Sequence, residues 1–301
     1  MAPPRISIVT PSYNQAEFIR DTLDSVERQT HSDIEHVVMD GGSTDGTLDV
    51  LREYESHDGY DLTWISEPDE GQSDAINRGF ERASGDIVAW LNSDDAYFDI
   101  DALARVEEHF ETHDADVIYG DLAYLDADST VTEIDVRPDF DREKLPYRIL
   151  IGQPATFFRR RVVEAEKLDT DLAYSMDYEY WLRLAERFEF RHVRDVLAGF
   201  RSYEAQKSQD QEAMAAELER ILTEYARDDQ GGAGVVAENL RTESKRHLDA
   251  LWATYELHRD PAELAFDGEL APLGTMVANL GPGVEDVSKA WRRWRSGGAS
   301  G

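Results

Sequence analysis

The chain has 301 residues, of which 63 are Asp or Glu and 31 are Lys or Arg, for a formal net charge of −32. So acidic a surface disfavours nucleic acid as a partner, and the absence of cysteine excludes disulfides and thiolate metal sites, in keeping with a reducing interior. Apolar periodicity argues for a folded body under the acids rather than disorder, and a coat that repels itself unless cations screen it points to a halophilic chain, with a potassium-rich haloarchaeal cytosol as the expected setting.

Arg5 to Thr10 reads as a strand ended by Pro11, followed by a helical pattern from Ala16 to Gln29. Ile34 to Asp40 repeats the unit: a strand ending in a carboxylate, a turn over Gly41 to Gly46, then an amphipathic segment through Tyr54. Asp61 to Ser66 is the third expected strand, Gly71 to Ala83 its helix, and Asp86 to Asn92 the fourth strand. Strands alternating with helices predict an α/β fold with a mostly parallel sheet flanked by helices, whose ligands bind beyond the carboxyl ends of the strands. Thr10, Asp40, Glu67 and Asp94 then share one rim. The fourth strand delivers two adjacent carboxylates, Asp94 and Asp95, and hard divalent cations are held by such groups together with phosphate oxygens. The same pair also suits a turn that caps the helix near Ile100.

Thr10-Pro11-Ser12-Tyr13-Asn14, Val38 to Thr47 with Asp40 and Asp45, Asp74 to Gly79 with Arg78, and Leu91-Asn92-Ser93-Asp94-Asp95, in this order and spacing, resemble the signature of family-2 inverting glycosyltransferases of the GT-A fold, a Rossmann-type architecture. The resemblance spans about the first 200 residues. It implies a nucleoside-diphosphate-sugar donor, a sugar or lipid-linked acceptor, and a divalent cation, Mn²⁺ or Mg²⁺. It places the donor nucleotide on Thr10, Pro11, Tyr13, Asn14, Asp40, Asp45, Arg78 and Asp94, and the metal on Asp94 and Asp95. Asn92 stands where the family commonly has a third Asp. Phe200 to Ser208 matches the family's basic loop, so Arg201 and Lys207 are expected over the donor diphosphate. On the acceptor side the resemblance implicates Gln153, Glu179 and Trp181, and the family's general base falls on Asp177, with Met176 replacing the usual Glu. Glu179 is the rival base, but residues two apart on a helix face different directions. Trp181 either packs against the sheet or stacks on an acceptor ring.

Two other functions use related features. A sugar nucleotidyltransferase carries a Gly-rich loop after its first strand, which Thr10 to Asn14 lacks. A catalytically silent nucleotide-sugar-binding protein has no use for a base at Asp177. Residues 1–205 are expected to form the catalytic domain and 206–301 a helical extension, with helices over Glu212 to Ala226 and Val235 to Leu257 separated by a Gly-rich linker. No secretory h-region and no apolar run of membrane-spanning length is found, so a cytoplasmic location is expected. Near the C-terminus, Lys289, Arg292, Arg293 and Arg295 accompany Trp291 and Trp294. Such a stretch suits peripheral contact with an anionic inner membrane face, or a clamp on the chain's own acidic surface.

Overall fold

A computed structural model describes residues 5–147, 149–204, 206, 211–225, 250, 263–271 and 276. β1 (Ile6–Ser12), β2 (Ile34–Asp40), β3 (Leu62–Ser66) and β4 (Ile87–Trp90) alternate with α1 (Ile19–Glu27), α2 (Thr47–Tyr54) and α3 (Gln72–Arg82). β1 pairs in parallel with β2 on one side and β4 on the other, and β3 joins β2 in parallel. Every residue of β1 and β4 is buried, as continuous apolar strands covered on both faces should be.

The strand β1 runs through Pro11 rather than stopping at it. Odd-numbered residues of β1 point toward β4, as the bond from the Leu91 N–H to the Val9 carbonyl shows. Pairing with β4 ends at Val9 opposite Trp90, so the donor that proline lacks falls where no ladder partner waits.

The chain then turns mixed. β5 (Ala96–Tyr97) and α4 (Ala102–Thr112) lead to β6 (Val117–Leu125), β7 (Thr130–Asp135), β8 (Thr156–Arg159), α5 (Arg160–Ala165), α6 (Met176–Leu184) and β9 (Phe190–Arg201). β8 sits antiparallel between β4 and β6, while β9 runs parallel to β6 and reaches β5. Period-2 alternation divides the side chains between two cores. Val9, Val88, Trp90, Val117 and Phe158 face the layer of α3, α5 and α6, whereas Ile8, Ala89, Ile118 and Phe157 face that of α4. Trp90, Phe158 and Trp181 cluster mutually, with near-parallel rings and centroids 5.4–5.7 Å apart, contacts worth about 0.5–1.5 kcal/mol each beyond buried area. α3 seats directly on β1 because residue 79 is glycine: a Cβ there would lie 2.2 Å from a Val9 methyl.

Residues past 205 join these layers. α7 (Gln211–Tyr225), close to the expected helix, buries Ile221 and packs Leu218 and Leu222 on the α6 side. β10 (Glu269–Leu270) adds to β7, and Leu264 and Phe266 pack with Phe98 and Val131. Two paired residues leave no alternation to read, so β10 was not foreseeable. Apart from Ala250, the expected helix over Val235 to Leu257 lies outside the described residues, as does the basic stretch from Val287 to Arg295. No helix among the described residues is long and apolar enough to cross a membrane.

His36 of β2 is fully buried, its ring nitrogens bonded with the Thr10 and Tyr60 hydroxyls. Burial pushes its pKa down from 6.5 to about 3. The unfolded chain therefore takes up a proton below pH 6.5 that the folded chain refuses, and stability is lost as pH falls, by about 1.4 kcal/mol per unit. The urea midpoint of the parent is expected to fall as pH drops from 6.5 to about 5.5, a window above the ordinary carboxylate range. In His36→Gln that pH dependence shrinks.

Candidate active site

At the carboxyl ends of β1, β3 and β4, the following loops meet the turn at Gln153 and the start of α6 around a cavity of about 780 Å³. Asp94 and Asp95 follow β4 in a turn closed by the Asp95 N–H donating to the Asn92 carbonyl at 3.1 Å. Their side chains part company. Asp94 is half-buried on the cavity wall, where its Oδ2 accepts the Tyr203 hydroxyl at 3.1 Å. Asp95 is fully buried: Oδ1 accepts the backbone N–H of Arg201 at 2.9 Å and Oδ2 the Asn92 amide at 3.3 Å. Burial, then the adjacent Asp94 charge, drive the Asp95 carboxyl well above the ordinary carboxylate range, and burial also raises Asp94.

Beneath the turn lies the guanidinium of Arg201, with none of the residue exposed. It donates to the Asp94 carbonyl (2.8 Å), to Ser129 Oγ (2.8 Å), to the Asp126 carbonyl (3.1 Å) and to the Asp21 carboxylate of α1 (2.7 Å). Above the turn runs a string of three amides. Gln72 donates to Asn92 Oδ1 (2.8 Å), Asn92 to Gln153 Oε1 (3.0 Å), and Gln153 to the Trp90 carbonyl (2.8 Å).

Asp177, second residue of α6, also lines the cavity. Burial raises its carboxyl above the usual range, opposed by the Tyr178 N–H that donates to Oδ1 at 2.8 Å and by the charge of Arg137. A third carboxylate, Asp69 after β3, lines the same space and is likewise raised by burial. The cavity wall thus carries three carboxylates and, among the described residues, no Lys, Arg or His.

Residues 7–164 match the family model described as glycosyl transferase family 2. The chain belongs to glycosyl transferase family 2. A PGL/p-HBAD biosynthesis glycosyltransferase of Mycobacterium tuberculosis is 37% identical over 161 residues, 53% of this chain and 61% of the relative, so the match spans under two thirds of that protein. An uncharacterized glycosyltransferase of M. tuberculosis is 30% identical over 243 residues, 79% of this chain and 90% of the relative. Among solved structures, S. aureus TarS 1–349 in complex with UDP-GlcNAc aligns with a TM-score of 0.61 at 16% identity, covering 85% of this chain and 74% of that one. Mannosyltransferase PcManGT from Pyrobaculum calidifontis, in complex with GDP-Man and Mn²⁺, gives 0.61 at 20% identity, covering 86% and 77%. At such identities the likeness speaks for the fold, the GT-A-like α/β architecture that the strand order implies. Neither mycobacterial relative speaks for a haloarchaeal source.

Within this family 2 chain, Pro11, Tyr13, Gln153, Asp94 and Asp177 line the cavity. Other expected positions face elsewhere, each for a visible reason. Thr10 is occupied by His36. Asn14 (φ 53°) and Asp45 fasten the loops after β1 and β2, binding the N–H groups of Thr44 and of Ala16 and Thr47. Asp40, 2% exposed, accepts the N–H groups of Gly42 and Ser43 and the hydroxyls of Ser43 and Ser66, so it shapes that loop from below. Arg78 pairs with Glu67 and Asp74 off the cavity wall. Arg201, expected over a diphosphate, is instead the buried clamp. Asp95, expected as a metal ligand, has both oxygens turned inward. Glu179 is chelated by Arg183, both bonds 2.9 Å, and Trp181 is a core residue 1% exposed. Lys207 lies outside the described residues. Asp69, Gln72 and Tyr203 line the cavity unforeseen, although Asp69 follows a strand end that the rim rule already marks.

Asn92→Asp, which restores the family's commoner residue, removes two amide donors and sets a carboxylate against Asp95. A loss of about 1–3 kcal/mol in stability is expected from urea denaturation.

Proposed function

We propose that this family 2 glycosyltransferase moves a sugar from a nucleoside-diphosphate sugar to an acceptor hydroxyl with inversion. The observation that carries the reading is that Asp177 and Asp94, which follow different elements far apart in sequence, line one and the same cavity. In a single displacement the acceptor oxygen bonds to the anomeric carbon as the bond to the diphosphate breaks, and the acceptor's proton passes to the Asp177 carboxylate. Its raised pKa suits the task, because a base works best when its pKa approaches the working pH.

The departing diphosphate is an anion in a cavity walled by carboxylates. The hard oxygen of Asp94, joined by phosphate oxygens, fits Mg²⁺ or Mn²⁺, which are commonly held by one or two carboxylates plus substrate phosphates; such a cation supplies Lewis-acid stabilisation of the leaving group. Asp94 would hold it, while Asp95 fixes the turn. Tyr13 and Asp69 bound the side of the cavity assigned to the nucleotide, and Gln153 the acceptor side. The basic, Trp-bearing stretch near the C-terminus supports an acceptor carried on a lipid at a membrane face, and the surplus of carboxylates supports a high-salt setting.

Asp177→Asn is expected to lower transfer by about 10²–10⁴-fold with nucleotide affinity unchanged by calorimetry. In the parent the rate falls as pH drops through the Asp177 carboxyl, at a pH above the ordinary Asp range. A full loss of nucleotide binding in a folded Asp177→Asn protein would move this residue to the donor side. Raising KCl from about 0.1 M to 1 M, which shortens the screening length from about 10 Å to 3 Å, is expected to raise the melting temperature. A flat or falling value speaks against the high-salt setting.

A further inference from the structure

Glu217 belongs to α7, beyond the family match at residues 7–164, yet its carboxylate reaches the cavity wall from behind. Oε1 accepts the Ala173 N–H at 2.7 Å, and Oε2 accepts those of Tyr174 at 2.8 Å and Ser175 at 2.9 Å. Three successive N–H groups converging on one anion form a nest, and charge-assisted bonds of this kind are about twice as strong as neutral ones. Against the pull of burial, the same three bonds lower the Glu217 carboxyl below its ordinary value.

The residues so held lead straight into α6. Ser175 is its N-cap and makes no side-chain capping bond of its own. Tyr174, Met176 and Asp177 line the cavity. The opposite end of this segment is fixed by α3, where Asn77 bonds both the carbonyl and the N–H of Leu168 at 2.9 Å. α7 is itself anchored, through buried Ile221 and through the Tyr225 hydroxyl that donates to Glu179 of α6 at 3.2 Å.

We infer that Glu217 is a positioning residue for the reaction: by gathering the N–H groups of residues 173–175 it fixes the first turn of α6, and with it Asp177, at the cavity wall. The inference rests on Asp177 being the base. It gives the C-terminal extension a part in turnover although it carries no catalytic motif. Without the carboxylate the three N–H groups turn to water and the turn gains freedom, and a misplacement of about 1 Å at a reacting group costs on the order of 10²-fold in rate.

The test uses the full chain and its Glu217→Gln, Asp177→Asn and doubly substituted variants. The probe is whichever of a panel of UDP- and GDP-sugars the parent turns over with Mn²⁺, followed by release of the nucleoside diphosphate. Glu217→Gln keeps one acceptor oxygen, loses the charge and sets an NH₂ group against the N–H donors. Expected in Glu217→Gln are a kcat lowered by about 10–100-fold, an unchanged nucleotide Kd, and faster hydrogen exchange at the amides of residues 173–175. The double variant should fall no more than about threefold below Asp177→Asn, since groups acting as a unit are non-additive. A parental kcat in Glu217→Gln beside an inactive Asp177→Asn overturns the positioning role alone. A fully additive double variant overturns it too, because Glu217 then acts by another route. A parental rate in Asp177→Asn overturns the assignment of the base, and the inference falls with it.

Discussion

The rim of this molecule hangs on a cation placed out of reach of water. Stripping a guanidinium of its hydration costs several kcal/mol, and only dense pairing offsets that cost. Arg201 has such pairing: one carboxylate, two carbonyls and a hydroxyl, gathered from α1, the turn after β4 and the turn after β6. The backbone N–H of the same residue takes one oxygen of Asp95. One residue at the end of β9 therefore fixes both members of the acidic pair, Asp95 through its side chain and Asp94 through its carbonyl. The Asp94 carboxylate is thereby left at the cavity. Removing one partner of such a buried arrangement costs about 3–5 kcal/mol, so the clamp belongs to the fold before it belongs to any chemistry.

Electrostatics then constrain what the cavity accepts. Asp69, Asp94 and Asp177 share its wall, burial raises all three carboxyls, and no basic side chain among the described residues joins them. An anionic nucleotide enters such a space readily only with a cation of its own, because like charges repel more strongly where water is scarce. The acidity of the site and the proposed metal are one statement. Asp177, whose carboxyl burial holds raised, is the group to which the proposed mechanism gives the proton transfer.

Much of the first half of the fold is legible in the sequence. β1 and β4 are buried along their whole length and β2 over its second half, so they read as largely apolar runs; β3, at the sheet edge, is only half-buried, and each of the four ends near a residue of the rim. The second half is not legible in the same way: β6 takes β7, β8 and β9 as partners, and β10 arrives from more than a hundred residues away, pairings that no local period encodes. At the site, helical geometry separates Asp177 from Glu179, and the structure agrees in sending Glu179 to Arg183. Asp94 and Asp95 are a different matter. Adjacent residues after a strand point opposite ways, and which one meets the cavity depends on Arg201, over a hundred positions downstream. Charge type alone misleads for Arg201 and Arg78, because a sequence lists cations without saying which carboxylate has claimed them. Asp40 misleads likewise, being consumed by its own loop. Glu217 leaves no motif, since its partners are backbone N–H groups about forty residues upstream.

The central claim is that Asp94 presents the metal-side carboxylate of a cavity that admits a nucleoside diphosphate only together with a divalent cation. Calorimetric titration of UDP and GDP into the full chain, with Mn²⁺ or with EDTA, and into Asp94→Asn, tests it most directly. The expected result is binding of at least one nucleotide in Mn²⁺, lost in EDTA and strongly weakened in a folded Asp94→Asn protein. Equal affinity in Mn²⁺ and in EDTA, unchanged by the substitution, would contradict it.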